Sequence, residues 1–242
     1  MKKIALIVIM LLCFSTSAFA GKSIVVAVPA SIPPLAFVGD DGELAGYSVD
    51  YIKAVAEAAG FELVLKNAAW SGIFASLVQG DFDAICGAVT ITEKRKKVVD
   101  FTNVYLDVSH VLAVRKSSIV KSLGELKGKR VGGKIGSIGF QALTAIEGIE
   151  AVAYPEVSSL LTALKDNQVE AVVYEEPTIH YYIEKQYKET LKIAAVIDNR
   201  KDHLGIAVKK GNSEILNLLN KGIAAVKNSP LEKEIKKKWL NK

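Results

Sequence analysis

Strand-like and helix-like stretches alternate along almost the whole chain, and that alternation restricts the fold more than any other feature. β-Branched or apolar runs at 23–28, 61–65, 82–86, 130–133, 151–154 and 171–174 read as strands. Between them, 47–59, 72–79, a segment from about Ile138, 158–165 and 177–185 carry helical periodicity. Gly60 closes the first helix as a C-terminal stop. An irregular proline-rich loop spans 29–34, and two further helices follow a strand at 205–208. Strands that alternate with helices pair in parallel, because each crossover helix returns the chain to the same sheet edge. All-β and all-α architectures are thereby excluded.

The alternation is interrupted twice. After Phe101 a long strand-like run at 108–114 replaces a strand–helix unit, and polar Asp198-Asn199-Arg200-Lys201-Asp202 precedes the strand at 205–208. Two interruptions imply that the chain leaves one α/β lobe and later returns to it. The crossings are placed at 107–111 and 200–206, giving lobe one as 21–108 plus 205–242 and lobe two as 109–204. Ligands of open α/β sheets bind outside the carboxyl ends of the strands, so two such lobes would hold one between them.

The amino terminus is a separate unit. Lys2 and Lys3 precede an apolar run at 4–14, and Ser17-Ala18-Phe19-Ala20 supplies small residues for cleavage after Ala20. The run falls short of the roughly 20 apolar residues a spanning helix needs. Leu12 before Cys13 is too bulky for the usual lipidation site, so the expectation is a secretory signal peptide at 1–20 and a free, soluble exported product. The rest, about 220 residues, suffices for two modest lobes. Its one cysteine, Cys86, cannot form an intramolecular disulfide.

The formal charge of +5 includes Lys2 and Lys3, and much of the remaining excess lies in the last eleven residues. There the lysines alternate with Ile235, Trp239 and Leu240 at helical spacing, which describes a solvated helix face rather than a nucleic-acid surface. His110, His180 and His203 have no partner at metal-ligand spacing, so no metal or other cofactor is expected.

The segment at 83–101, DAICGAVTITEKRKKVVDF, carries the chemistry. A strand breaks at Gly87, Thr92 reads as a helix N-cap, and Glu93-Lys94-Arg95 forms the first turn. A cation beside the free amides of a helix start is locally unfavourable unless an anion sits between them. A carboxylate fits a guanidinium fork through two parallel charge-assisted hydrogen bonds. The arrangement holds a ligand and contains neither nucleophile nor base.

Thr90, Ile91, Thr92, Arg95, Asp100, Phe101 and Thr102 match, in order, the anion-binding segment of the periplasmic polar-amino-acid binding proteins, the receptor subunits of ABC importers. The resemblance extends over nearly all of the mature chain. It implies a two-lobed α/β periplasmic-binding-protein fold with mostly parallel sheets joined by a two-strand hinge. It also implies a monomer that closes on an amino acid and docks on an inner-membrane ABC permease. Residues 131–139 resemble the family's second-lobe turn, with Gly136-Ser137 matching and Ile138 departing. Residues 169–177 resemble the segment whose acid accepts hydrogen bonds from the ligand ammonium, with Glu175 at that position and Glu176 as a neighbouring candidate.

The family commonly holds the ligand between two aromatics; Trp70 falls on one position and Ile32 on the other. Pro29 stands where relatives that prefer basic ligands carry an acid, and Lys134 where relatives touch the ligand side chain. The implied ligand-binding set is therefore Arg95, Thr90, Ala88, Trp70, Ile32, Ser137, Ile138, Glu175 and Lys134, with a lean toward a neutral amino acid. Two alternatives stand beside this reading. One is an exported cyclic-acid dehydratase-like enzyme on the same scaffold, with Glu175 or Glu176 as general acid. The other is a soluble receptor that presents its ligand to a sensor protein.

Overall fold

The computed structural model describes residues 22–240, with the backbone alone at 198–200. The expected signal peptide and its Cys13 lie outside the described residues.

The first sheet has the strand order β5-β1-β6-β13-β7, from Glu62–Asn67 (β5), Ser23–Val28 (β1), Ala84–Ile85 (β6), Ala207–Lys209 (β13) and Val99–Phe101 (β7). β1 is an all-apolar run after Ser23, as befits a strand covered on both faces. Its parallel partners are β5 and β6, while β13 runs antiparallel to β6 and β7. A small antiparallel sheet of β2 (Ser31–Ile32), β3 (Ala36–Val38) and β4 (Leu44–Ala45) forms within and after the proline-rich loop. The second sheet is ordered β10-β9-β11-β8-β12, from Glu150–Tyr154 (β10), Arg130–Lys134 (β9), Ala171–Glu175 (β11), Leu106–Arg115 (β8) and Leu191–Leu204 (β12). Here β10, β9 and β11 are parallel, and β8 and β12 add antiparallel. Each five-stranded sheet is thus a parallel set of three with antiparallel strands toward the crossings.

Helices cover both faces of each sheet. On the first, α1 (Tyr47–Ala59), α7 (Ser213–Val226) and α8 (Pro230–Leu240) share one side, and α2 (Ile73–Gln79) packs Ile73 and Leu77 on the other. α1 stops at Gly60, whose φ of 78° is the left-handed cap conformation that glycine adopts without a Cβ penalty. α7 approaches so closely at Gly222 that a Cβ there would lie 2.4 Å from the Val55 carbonyl oxygen. Tyr47, Tyr51 and Tyr105 pack ring to ring at 5.2–6.3 Å, and the Tyr105 hydroxyl pairs with Ser48 at 2.9 Å. On the second sheet, α5 (Val157–Lys165) buries Leu160, Leu161 and Leu164 on one face, while α4 (Ile138–Thr144) places Leu143 on the other.

The two crossings are β8 and β12, adjacent antiparallel strands. Asp202 pairs with Val108, His203 with Asp107 and Leu204 with Leu106, so the two links lie side by side as a two-strand hinge. Gly205 follows immediately, where a Cβ would meet Ile91 at 2.9 Å.

Three local expectations need correction. The polar 198–202 stretch, expected ahead of the strand at 205–208, belongs to the 14-residue β12, whose register against β8 shifts between Ile197 and Asp202. The helix expected over 177–185 is α6 (Glu176–Tyr182), which then widens into a π-turn at Ile183–Tyr187. The loop at 29–34, expected to be irregular, contributes β2.

Candidate functional site

The carboxyl ends of β1, β6, β9 and β11 face one another between the two sheets, and the residues just beyond them form one site. After β6 the chain turns through Gly87, with φ 142°, and Ala88, with φ 52°. Proline packs against this turn, since a Cβ on Gly87 would lie 2.9 Å from Pro29 Cδ. Thr90 is buried and bridges to Leu204 at the hinge. α3 (Glu93–Lys96) is a single turn capped as expected, with Thr92 Oγ1 accepting from the Arg95 amide at 3.1 Å.

The Arg95 side chain is the link between the lobes. Nη1 donates to the Thr90 carbonyl at 2.7 Å, and Nη2 donates across the cleft to the Gly136 carbonyl at 3.3 Å. The guanidinium lies 5.2 Å from the centre of Trp70 and 5.3 Å from that of Phe74, within cation–π range. Burial lowers its pKa from the ordinary value, and Glu175 and Asp202 oppose that shift.

From the second sheet, β9 ends on Lys134 and the chain turns at Gly136, where a Cβ would lie 3.0 Å from Trp70 Nε1. The close approach of the indole is possible because that Cβ is missing. Ser137 caps α4: its Oγ accepts from the Phe140 amide at 3.1 Å and donates to the Lys134 carbonyl at 2.8 Å. Lys134 is only 2 % exposed, and its amine lies 5.8 Å from the Trp70 ring centre. Burial lowers its pKa, opposed by Glu156 and Glu175. Glu175 ends β11 at the start of α6; it is 5 % exposed, and its Oε2 has no hydrogen-bond partner. Burial pushes the Glu175 carboxyl up to about 8, Asp202 adds to the shift, and Arg95 and Lys134 pull against it.

All nine residues singled out in the sequence line a single cavity of about 20 Å³. That is room for about one water molecule, so the lobes are drawn together around it. Ile135 and Tyr174 line it as well. Both went unnoticed in the sequence, although each is a chain neighbour of a residue that was named. Glu176 does not reach this cavity. It lines an outer groove between Pro34, Tyr181 and Trp239, with His180 Nε2 at 3.9 Å.

Behind Glu175 lies a hinge pair that spacing along the chain conceals. β-Pairing sets Glu175 opposite His110, and His110 Nδ1 lies 3.2 Å from Asp202 Oδ2. Burial lowers the His110 pKa, with Asp202 opposing. His203 Nδ1 similarly contacts Asp107 Oδ1 at 2.6 Å. Among the described residues no group of three or more His, Cys, Asp or Glu is placed to hold a metal ion. Cys86 is buried, and burial pushes its thiol up to about 12. No helix among the described residues is long and apolar enough to cross a membrane.

The arrangement combines a cross-lobe guanidinium, a buried ammonium, a buried carboxyl and an indole face, with no nucleophile–base pair. Comparison with known proteins gives the family. Residues 24–242 match the family described as bacterial extracellular solute-binding proteins, family 3. The L-cystine-binding protein TcyJ of Escherichia coli (strain K12) is 28% identical over 221 residues, covering 90% of this chain and 82% of the relative. The arginine-binding extracellular protein ArtP of Bacillus subtilis (strain 168) is 26% identical, covering 90% and 86%. Among solved structures, an ancestral arginine-binding protein bound to arginine superposes with a TM-score of 0.83 at 32% identity, covering 90% of this chain and 97% of that one. The arginine-, lysine-, histidine-binding protein ArtJ of Geobacillus stearothermophilus gives a TM-score of 0.84 at 29% identity, covering 91% and 96%. With the match running through both lobes and the hinge, this chain belongs to the bacterial extracellular solute-binding proteins of family 3.

Proposed function

We propose that the protein is a periplasmic receptor that closes on one amino acid and delivers it to an inner-membrane ABC permease. Residues 21–108 plus 205–242 act as one lobe and 109–204 as the other, about the β8–β12 hinge. The protein works as a monomer, exported by its 1–20 leader, and changes no bond in its ligand. The observation that carries this reading is Arg95, anchored on Thr90 and reaching the Gly136 carbonyl of the opposite lobe. A ligand carboxylate entering the open cleft meets that guanidinium together with the amides of the Ala88–Thr90 turn. The ligand ammonium pairs with Glu175, while Trp70, Ile32 and Ile138 form walls and Ser137 completes the second-lobe rim. Only contacts made from both lobes can favour the closed state, so Lys134, Ser137 and Glu175 govern closure.

The dehydratase-like alternative has one observation in its favour, the raised carboxyl of Glu175. Against it, the cavity lining supplies no second carboxylic acid and no histidine to partner Glu175. Presentation to a sensor protein would use the same site and differ only in the partner.

The test is calorimetry on Arg95→Ala. Losing a charge-assisted pair of this kind weakens amino-acid binding by more than an order of magnitude, about 1.5–3 kcal/mol. Affinity within threefold of the parent, on a variant with the parent's circular dichroism, would remove Arg95 from the site and the reading with it.

A further inference from the structure

We propose that the ligand is a dicarboxylic amino acid, with its side-chain carboxylate held by Lys134. This assignment rests on the receptor reading above and names the ligand class of that same site. Pro29 and Lys134, taken as sequence, point only to a neutral, oxygen-bearing side chain. The structure adds two independent observations.

The first is a charge left over. Lys134 is 2 % exposed, and among the described residues its amine has no ion pair within 4 Å and no hydrogen bond. The cavity has two cationic side chains in its lining, Arg95 and Lys134, against one acidic one, Glu175. An α-carboxylate takes Arg95 and an α-ammonium takes Glu175. A neutral amino acid would therefore leave the Lys134 ammonium without an ion-pair partner in the inner cavity once the lobes close. Stripping a charge of water is costly unless an opposite charge replaces the lost hydration. A second carboxylate on the ligand supplies it.

The second observation is that the indole already has its cations. Arg95 lies 5.2 Å and Lys134 5.8 Å from the Trp70 ring centre. A basic ligand side chain seeking the same ring would meet two positive charges rather than an open aromatic face. Glu156, the other acid that acts on Lys134, shares the outer depression with Lys134, Asn67 and Pro155; it does not line the inner cavity and forms no ion pair with the amine. An arginine side chain would thus find no acid of its own inside.

The experiment is titration calorimetry at low ionic strength on the purified protein, unfolded and refolded to strip carried-over ligand. The probes are L-glutamate, L-aspartate, L-glutamine, L-asparagine, L-arginine and L-histidine. The expected result is that glutamate or aspartate binds at least about tenfold tighter than its own amide and than either basic amino acid. In Lys134→Met, which retains the buried apolar stem, the acid-to-amide ratio falls below about threefold. Should that variant lose its native circular dichroism, Lys134→Gln provides the same comparison with a polar head. An amide or a basic amino acid that binds as tightly as the acids overturns this inference and leaves the receptor reading standing. So does an acid preference that survives Lys134→Met or Lys134→Gln. Absence of binding by every amino acid overturns both.

Discussion

Glu175→Gln should abolish a pH dependence of folding stability that the parent protein carries. The Glu175 carboxyl is raised from 4.5 to about 8 in the folded protein, first because burial penalises its charged form and then because Asp202 is near. Between those two values the ligand-free folded state keeps the proton and the unfolded state has lost it. Stability therefore falls as pH rises, by about 1.36 kcal/mol per unit. From pH 5 to pH 8 the three units come to about 4 kcal/mol, the full contribution being present below 4.5 and lost above about 8. His110 works in the opposite direction, since its lowered pKa favours the folded state more as pH rises toward 6.5. The clean quantity is hence the difference between the parent and Glu175→Gln, in which the His110 contribution cancels to first order. Urea denaturation at pH 5 and at pH 8 on both proteins supplies it. A double difference of about 3–5 kcal/mol is expected, with the glutamine variant gaining on the parent at pH 8. A double difference under about 1 kcal/mol would mean that Glu175 ionises normally and that its enclosure does not control its charge.

Two further outcomes follow from packing. Gly222→Ala should destabilise by about 1–3 kcal/mol in urea denaturation, against the usual gain of glycine-to-alanine in a helix, because the new methyl would lie 2.4 Å from the Val55 carbonyl oxygen. A variant as stable as the parent would show that α1 and α7 can part at no cost. Tyr181→Ala removes a ring 6.1 Å from Phe37 across the lobes, worth about 0.5–1.5 kcal/mol to the closed form. Ligand affinity should then fall about twofold to tenfold and small-angle scattering should report a larger unliganded radius; an unchanged radius and affinity would deny the contact any role in closure.

What could be read from the chain alone was local chemistry with a strong geometric consequence. Gly60 ends α1 because its left-handed φ is open to glycine, and Thr92 caps α3 through the hydrogen bond that its position suggests. Most of the nine cavity residues were named through the family resemblance, and they converge because strand ends in such sheets face a common side. Contacts between segments distant along the chain left no local trace. β12 becomes a strand through its pairing with β8, some ninety residues away, which shifts register after Ile197 and resumes at Asp202. His110 and Asp202 meet by the same pairing. The burial of Lys134 without an ion-pair partner is likewise a product of closure, since nothing in Val131-Gly132-Gly133-Lys134 distinguishes it from a solvated lysine.

The most direct test of the receptor account is a thermal-shift series on the refolded, ligand-free protein with each of the common amino acids. A ligand that binds only the folded state at a hundred times its dissociation constant stabilises by about 2.7 kcal/mol. For a chain of this length that is a rise in Tm of about 5–10 °C. The account predicts such a rise for one or two amino acids and little for the others. No rise with any amino acid, from a protein that refolds to a cooperative transition, would contradict it.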